Sequence, residues 1–418
     1  MQPNDTQESR HAFGSVSRRV VLAGAAVLAV GQAVPAFAQA GDDDAPRPRQ
    51  GKVLAYAGTY TPNGQGIYLF QVDLSTGALD PVTVFPSSTN PSWMEIDPSK
   101  THLYAVDEIS NYNGTTTGAA SAYSIDRSNG NLTLLNTVSS QGSGPAHLSV
   151  DPLGKYVFVA NYGGGSVAVL PIQSDGSLGN ATDMKSDAGL GPVGPTRAAK
   201  APPGSFAISG HDAPHAHFIH TDPAGKFVIA NDLGLDLTIV WSFDRSSGTL
   251  SNPRTFPSSP GAGPRHFVFH PNGRFFYLLT EEASTVEFRL YDPASGTLGP
   301  IQQEIQTLPA NFVGTTFGSE IRISDDGRFV YCANRLHDTV ATFAVGRDGR
   351  LTWLGEEWTR GDYPRSFTIE PTGRFLYACN QRGDSITAFR VIGGGRQLSF
   401  TERYTAVGSP AIIIFLEI

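Results

Sequence analysis

Short runs in which apolar and polar residues alternate fill most of the chain, the period of strands that bury one face. One such run recurs with a constant ending: an alternating strand, an Asp-like turn, a Gly and then a Leu. It reads IYLFQVDLSTGAL to Leu79, SAYSIDRSNGNL to Leu132, SVAVLPIQSDGSL to Leu178 and LTIVWSFDRSSGTL to Leu250. TVEFRLYDPASGTL to Leu298, TVATFAVGRDGRL to Leu351 and SITAFRVIGGGRQL to Leu398 complete seven copies, spaced by 53, 46, 72, 48, 53 and 47 residues. A second run lies ahead of each copy. Turns at Asp97, Asp151, Asp222, His270, Asp325 and Glu370 lead into HLYAVDE, YVFVANY, FVIANDL, FFYLLTEE, FVYCANR and FLYACNQ, and VLAYAGTY at 53–60 is the seventh such strand. A third run precedes the turns: PSWMEI, PAHLSV, HAHFIHT, PRHFVF, SEIRI and PRSFTI, with SPAIIIFLEI at the C-terminus.

Each unit therefore predicts four strands, A to D in chain order, and a four-stranded sheet has two faces that one unit cannot bury alone. Stacking the sheets around an axis gives an all-β fold, a single seven-bladed β-propeller over residues 52–418. The chain starts at strand B of one unit and ends with strand A of that same unit. The C-terminal inner strand is thus expected to pair with the N-terminal strands and close the ring. An open repeat array is the alternative, and chain ends that complete one blade speak against it. Met94 and Ile96, Leu148 and Val150, Phe267 and Phe269, Ile321 and Ile323, and Phe367 and Ile369 share one face by period two and are read as core.

Strands A and B form a hairpin, so the start of A and the end of B meet at one mouth of the central channel. That mouth is a common ligand position in propellers. The A starts carry Trp93 and Glu95, His147, His215 and His217, Arg265 and His266, Glu320 and Arg322, and Arg365. The B ends carry Asp107 and Glu108, Asn161 and Tyr162, Asp232, Glu281 and Glu282, Asn334 and Arg335, and Asn380 and Gln381. Five of the ten histidines, His211, His215, His217, His220 and His266, fall in two short stretches at such starts. Polar groups are costly to bury without partners, so a rim this rich is either a bracing network or a site. Asn161, Asn334 and Asn380 fit the bracing role at turns, whereas His147, Arg265 and Glu281 together fit a ligand role better. His215 and His217 look superficially like a zinc pair and would share a face by period two, but no HExxH or Cys/His spacing accompanies them. No metal and no cofactor are expected. The 72-residue spacing holds one long insertion, about 178–217, rich in Gly and Pro, which reads as a lid over the mouth or as a passive excursion. A P-loop and a GxSxG elbow are absent from the sequence, and no strand-to-helix turn carries a dinucleotide fingerprint.

Composition narrows the class further. With 16% charged residues, 46 Gly and 29 Pro in 418 residues, coiled coils and helical solenoids are excluded. A net charge of −8 excludes a generally basic nucleic-acid binder. Residues 1–40 read as an export signal of the twin-arginine type: Arg18-Arg19, an Ala/Gly/Val-rich run to about Val34, and small residues around Ala38 and Ala40. The apolar run is too short to span a bilayer comfortably. Residues 41–51 read as a flexible leader. The expectation is a periplasmic or secreted monomer without stable membrane insertion, its one macromolecular partner being the twin-arginine export machinery. Cys332 and Cys379 are too few for a disulfide framework. They lie on B strands of successive blades, so they either face each other across the junction or face away, and two buried thiols is the preferred reading.

GTYT (58–61), GPAHLSVDPLGKYVFVANYGGGSV (144–167), PHAHFIHTDPAGKFVIANDLG (214–234), GPRHFVFHPNGRFFYLLTEE (263–282), EIRISDDGRFVYCANR (320–335) and PRSFTIEPTGRFLYACNQ (364–381) resemble the lactonase family of propellers. That family includes bacterial 6-phosphogluconolactonase of the propeller type and fungal carboxy-cis,cis-muconate cyclase. The resemblance covers nearly all of 52–418 and implies hydrolysis of a small-molecule, sugar-derived lactone. It implies catalytic roles at Glu281, His147, Arg265 and His266, with Glu320 and Arg322 next. His215, His217, Asp232 and Arg335 complete the expected substrate-binding set. Thr280 departs from the pattern where an Asn would precede the Glu, and Ser366 where a bulkier residue is common. A muconate-type cyclase and a non-enzymatic binding propeller remain as other readings. The chemistry suits the residues independently: lactone hydrolysis needs a base for water, for which Glu281 or His147 is suited, and a donor for the oxyanion, for which Arg265 is suited.

Overall fold

A computed structural model describes residues 51–418 apart from Ser87 and Ser209. The export signal and all of the leader but Gly51 lie outside the described residues. Among those residues the strands form seven four-stranded antiparallel sheets, each a simple meander. Blades 1 to 6 occupy 94–139, 145–186, 216–257, 264–306, 317–358 and 364–406. The seventh combines Pro410–Glu417 with Val53–Thr59, Ile67–Val72 and Leu79–Phe85. Its closure is a continuous ladder from Val53↔Glu417 to Gly58↔Ile412. No described helix is long and apolar enough to cross a membrane.

Five of the B strands are buried along their whole length and the other two at all but their first residue, His102 or Phe275, because neighbouring blades cover both of their faces. Val53–Thr59, Tyr156–Asn161, Phe227–Asp232, Phe329–Arg335 and Phe375–Asn380 are buried at every position. The outer D strands, such as Leu79–Phe85, bury one end only. Apolar clusters fill the blade junctions. Cys332 packs between blades 4 and 5 and Cys379 between blades 6 and 7, so the two buried thiols face away from each other and are unbridged.

The repeated acidic turn has a mechanical reason. Asp97 Oδ1 accepts the N–H groups of Thr101 and His102 at 2.8 Å each, and Asp222 Oδ1 does the same for Lys226 and Phe227 at 2.7 and 2.8 Å. The side chain thus adds to the backbone bonds that close the A–B hairpin, Asp97 N–H to His102 and Asp222 N–H to Phe227 among them. Between blades a second device recurs. Tyr56, Tyr104, Tyr277 and Tyr331 on B strands donate to the carbonyls of Gly130, Gly176, Gly349 and Gly395 at 2.7–2.9 Å, each in the C–D turn of the next blade. Gly176 takes φ +85°, and a Cβ there would fall 2.0 Å from the His102 imidazole. Tyr377 breaks the series, its buried hydroxyl lacking a partner among the described residues. Tyr104→Phe is therefore expected to cost about 1 kcal/mol, with Tyr377→Phe neutral or mildly stabilising, as read from urea unfolding midpoints.

Candidate active site at the channel mouth

A bulge opens the innermost strand in six of the blades and decides which side chains reach the mouth. The ladder skips one residue between Pro145 and His147, Ala216 and Phe218, Pro264 and His266, and Pro364 and Ser366. The same happens between Gly318 and Ile321 and opposite the Gly58–Thr59 step. The extra residue is Ala146, His217, Arg265 or Arg365 in the first four. Bulges re-aim side chains that strict alternation would send to opposite faces. Arg265 and His266 are consecutive, yet Arg265 Nη1 reaches His266 Nε2 at 3.2 Å and both side chains are buried.

Glu281 sits at the centre of the arrangement. Its Oε2 receives Arg265 Nε at 2.8 Å and Arg335 Nη2 at 2.7 Å. Among the described residues no donor reaches Oε1. Burial alone would raise its pKa, but Arg335 and Arg265 outweigh burial and hold the carboxyl below the ordinary glutamate value. Arg265 also donates to the Ser319 carbonyl, and Arg335 to the Gly318 carbonyl and, at 3.3 Å, to the Tyr363 hydroxyl. Local backbone geometry supports the clamp. Gly263 turns at φ +67°, where a Cβ would overlap Glu282, and its carbonyl accepts the Glu281 N–H at 2.7 Å.

The histidines pack as a layer beside this clamp. His147 lies 4.0 Å from the Phe218 ring and 4.4 Å from Trp93, and His266 lies 4.6 Å from Phe218 and 5.2 Å from Trp93. Obligate donors assign the tautomers. Ile219 N–H points at His147 Nδ1 at 3.4 Å, so the His147 proton resides on Nε2. Arg265 donates to His266 Nε2, which leaves the His266 proton on Nδ1, 3.4 Å from Glu320 Oε1. Burial first, then nearby cations, push His147, His217 and His266 well below the ordinary histidine pKa. His217 is 5.1 Å from His266, and its buried Nδ1 has no partner among the described residues.

The remaining expected residues divide. Glu320 is buried, its pKa raised by burial against the pull of Arg322 and Arg265. Arg322 pairs with it at 3.4 Å while lying 5.8 Å from the Trp93 ring. His215 does not pair with His217: it stacks on Tyr162 at 4.4 Å, with Nδ1 at the Tyr162 carbonyl and Nε2 at Asp212, both 2.9 Å. The bulge at His217 breaks the shared face that alternation predicts. No group of three or more His, Cys, Asp or Glu among the described residues could hold a metal ion. Asp232 is not brought into the cluster. It is fully buried, holds the N–H groups of His215 and Leu235 at 2.9 Å each, and abuts Asp187. Asn161, Asn334 and Asn380 bond the Ser140, Thr307 and Thr359 carbonyls of the preceding blade connections, a bracing role. Thr280 bonds only Thr285 within its own blade.

Other residues border the mouth: the sequence places Glu95 and Arg365 at strand starts without an assigned role, and Tyr363 is not singled out there. Glu95 is driven up to about 8 by burial, offset in part by the Val150 N–H and Arg322. Tyr60, Tyr363 and Arg365 border the clamp through Arg335 and Glu108. A signal for Arg365 existed, since Pro364-Arg365 repeats Pro264-Arg265 at the same strand start. The insertion is anchored along blades 3 to 5. Gly194 N–H bonds Gly234, Ala199 N–H bonds Pro260, and the Pro203 carbonyl accepts Gly314 N–H, at 2.8–2.9 Å. His211 then meets Asp236 at 3.1 Å as the segment returns to blade 3.

Comparison with known proteins agrees with this architecture. Residues 54–415 match the family model described as "Lactonase, 7-bladed beta-propeller". The chain is 34% identical to the 6-phosphogluconolactonase of Bacillus subtilis over 323 residues, 77% of this chain and 86% of that protein. It is 27% identical to the 6-phosphogluconolactonase of Formosa agariphila, over 76% of this chain and 86% of the relative. The structure of the periplasmic gluconolactonase of Pseudomonas aeruginosa superposes with a TM-score of 0.77 at 30% identity, over 87% of this chain and 99% of that one. The chain belongs to the lactonase family of seven-bladed β-propellers, and it is an enzyme of the lactonase kind.

Proposed function

We propose that the chain hydrolyses a sugar-derived lactone at this mouth, with Glu281 activating the water. The clamp carries the reading: two guanidiniums fix one oxygen of a buried carboxylate and leave the other without a protein donor. A carboxylate oriented in this way can take a proton from water as it adds to the lactone carbonyl. His147, protonated on Nε2 and neutral, can donate to the oxygen that becomes negative in the tetrahedral intermediate. Arg265 keeps Glu281 ionised and holds His266 in one tautomer. No coenzyme enters these steps. The Arg18-Arg19 signal supports export through the twin-arginine machinery to the periplasm, and the periplasmic Pseudomonas relative fits that location. There an unphosphorylated lactone is the more accessible substrate.

The test is proton release from glucono-δ-lactone and 6-phosphoglucono-δ-lactone by the purified protein, corrected for spontaneous hydrolysis. Acceleration of either supports the proposal. Acceleration of neither moves the function to a muconate-type ring or to binding. The same assay carries a pH prediction. The three histidine pKa values are lowered, so these rings stay neutral through pH 6.5, and kcat/KM is expected to show no limb there. An acid limb with an apparent pKa of about 6 to 7 that persists in Glu95→Gln and Glu320→Gln, whose carboxyls are both raised by burial, would mean that one of the histidines titrates normally.

A further inference from the structure

Arg365 occupies in blade 6 the bulge position that Arg265 occupies in blade 4, yet the two guanidiniums are engaged differently. Arg265 and Arg335 commit donors to Glu281 and to backbone carbonyls. Among the described residues the Arg365 guanidinium makes no hydrogen bond. Its nearest carboxylate, Glu108, is 3.9 Å away and already receives the Tyr60 hydroxyl at 2.5 Å. The Tyr60 ring lies 5.1 Å from the guanidinium carbon, which gives the GTYT motif a place at the mouth. The Arg365 side chain is 19% exposed, so its donors are largely dehydrated but reachable. Arg365 depresses His217 and His266 and helps to hold Glu281 ionised, so it acts in the same field as the clamp. A buried cation with idle donors is costly, and its planar fork matches two-oxygen anions.

We propose that Arg365 binds a carboxylate or phosphate carried by the lactone and so sets a preference for acidic over neutral lactones. This rests on the lactone hydrolysis proposed above. The Tyr60 ring lies against the guanidinium, which suits recognition through the in-plane fork, a geometry that a lysine cannot reproduce.

The experiment compares full-chain wild type, Arg365→Gln and Arg365→Lys on glucono-δ-lactone, a glucaric-acid lactone and 6-phosphoglucono-δ-lactone. The wild type is expected to favour an acidic lactone, and that preference, as a ratio of kcat/KM values, to fall about 10- to 100-fold in Arg365→Gln. Arg365→Lys is expected to recover little of it. The acidic lactone whose advantage collapses identifies the group as carboxylate or phosphate. A wild type without acidic preference, or a ratio unchanged by Arg365→Gln, overturns the assignment. Calorimetric titration with glucarate, 6-phosphogluconate and gluconate reads the same contact without turnover. Acid-selective binding lost in a variant that keeps its melting temperature supports the assignment, and binding retained overturns it. Arg365-dependent binding without hydrolysis of any lactone would leave Arg365 assigned and reject the hydrolysis.

Discussion

Glu281→Gln is expected to lower kcat/KM by about 10²- to 10⁴-fold and to destabilise the fold by about 3 kcal/mol or more. Both effects come from one carboxylate. Its charge faces two buried guanidiniums, Arg265 at 2.8 Å and Arg335 at 2.7 Å, and the amide leaves both without their counter-charge. Breaking a buried pair by removing one partner is far costlier than the net worth of the pair, because the remaining charge cannot be hydrated. Arg265 is already pressed down to about 10 by burial and by Arg335, with Glu281 as the main opposing influence. Assayed under conditions where circular dichroism shows the variant folded, activity within tenfold of wild type would remove Glu281 from the chemistry. An unfolding midpoint equal to that of wild type would show that the guanidiniums find other partners.

The second large effect concerns stability alone. Asp187, where the insertion begins, and Asp232, at the end of a B strand, are both fully buried and in contact. Among the described residues neither oxygen of Asp187 has a conventional donor, and Asp232 Oδ2 has none. Burial first, then the Asp232 charge, raises Asp187 well above the ordinary value of 3.8, so the pair shares one proton. A raised folded-state pKa means that the native protein binds this proton more tightly than the unfolded chain. Its contribution is complete below 3.8 and is lost as pH rises towards the elevated folded value. This is the reverse of the usual aspartate. Asp187→Asn supplies a permanent donor to Asp232 and is expected to stabilise the protein by about 1–3 kcal/mol at pH 8. Its advantage should shrink as the pH is lowered. Urea midpoints between pH 4 and 9 measure both, and a variant less stable than wild type at every pH would refute the shared proton.

Much of this was legible in the sequence. Blade number and ring closure follow from local pattern, since period-two runs and acidic turns such as Asp97 and Asp222 organise their own hairpins. The bracing asparagines were legible for the same reason: Asn161, Asn334 and Asn380 satisfy nearby turns. Arg265, His266, Glu281 and Arg335 were singled out because all four sit where strand A starts or strand B ends, and the structure brings them into contact. Period two misled where a bulge intervened. It paired His215 with His217, whereas the extra residue at His217 turns that ring towards His266 and leaves His215 on Tyr162. Asp232 was grouped with them because a polar residue at a strand end looks the same whether it faces a mouth or, as here, a neighbouring aspartate.

The sequence by itself determined the seven units, the strand order within each, the closure by Pro410–Glu417 and the end of the ring at which charged residues gather. Those features depend on residues near one another in the chain or on a repeat that any copy reveals. Tertiary structure alone decided which charges meet. Glu281 takes guanidiniums from its own blade and the next, and Arg365 meets a tyrosine and a glutamate that lie some 300 and 250 residues away in sequence. Only ring closure brings Tyr60 and Glu108 beside Arg365, and only their side-chain geometry shows that, among the described residues, this guanidinium makes no hydrogen bond.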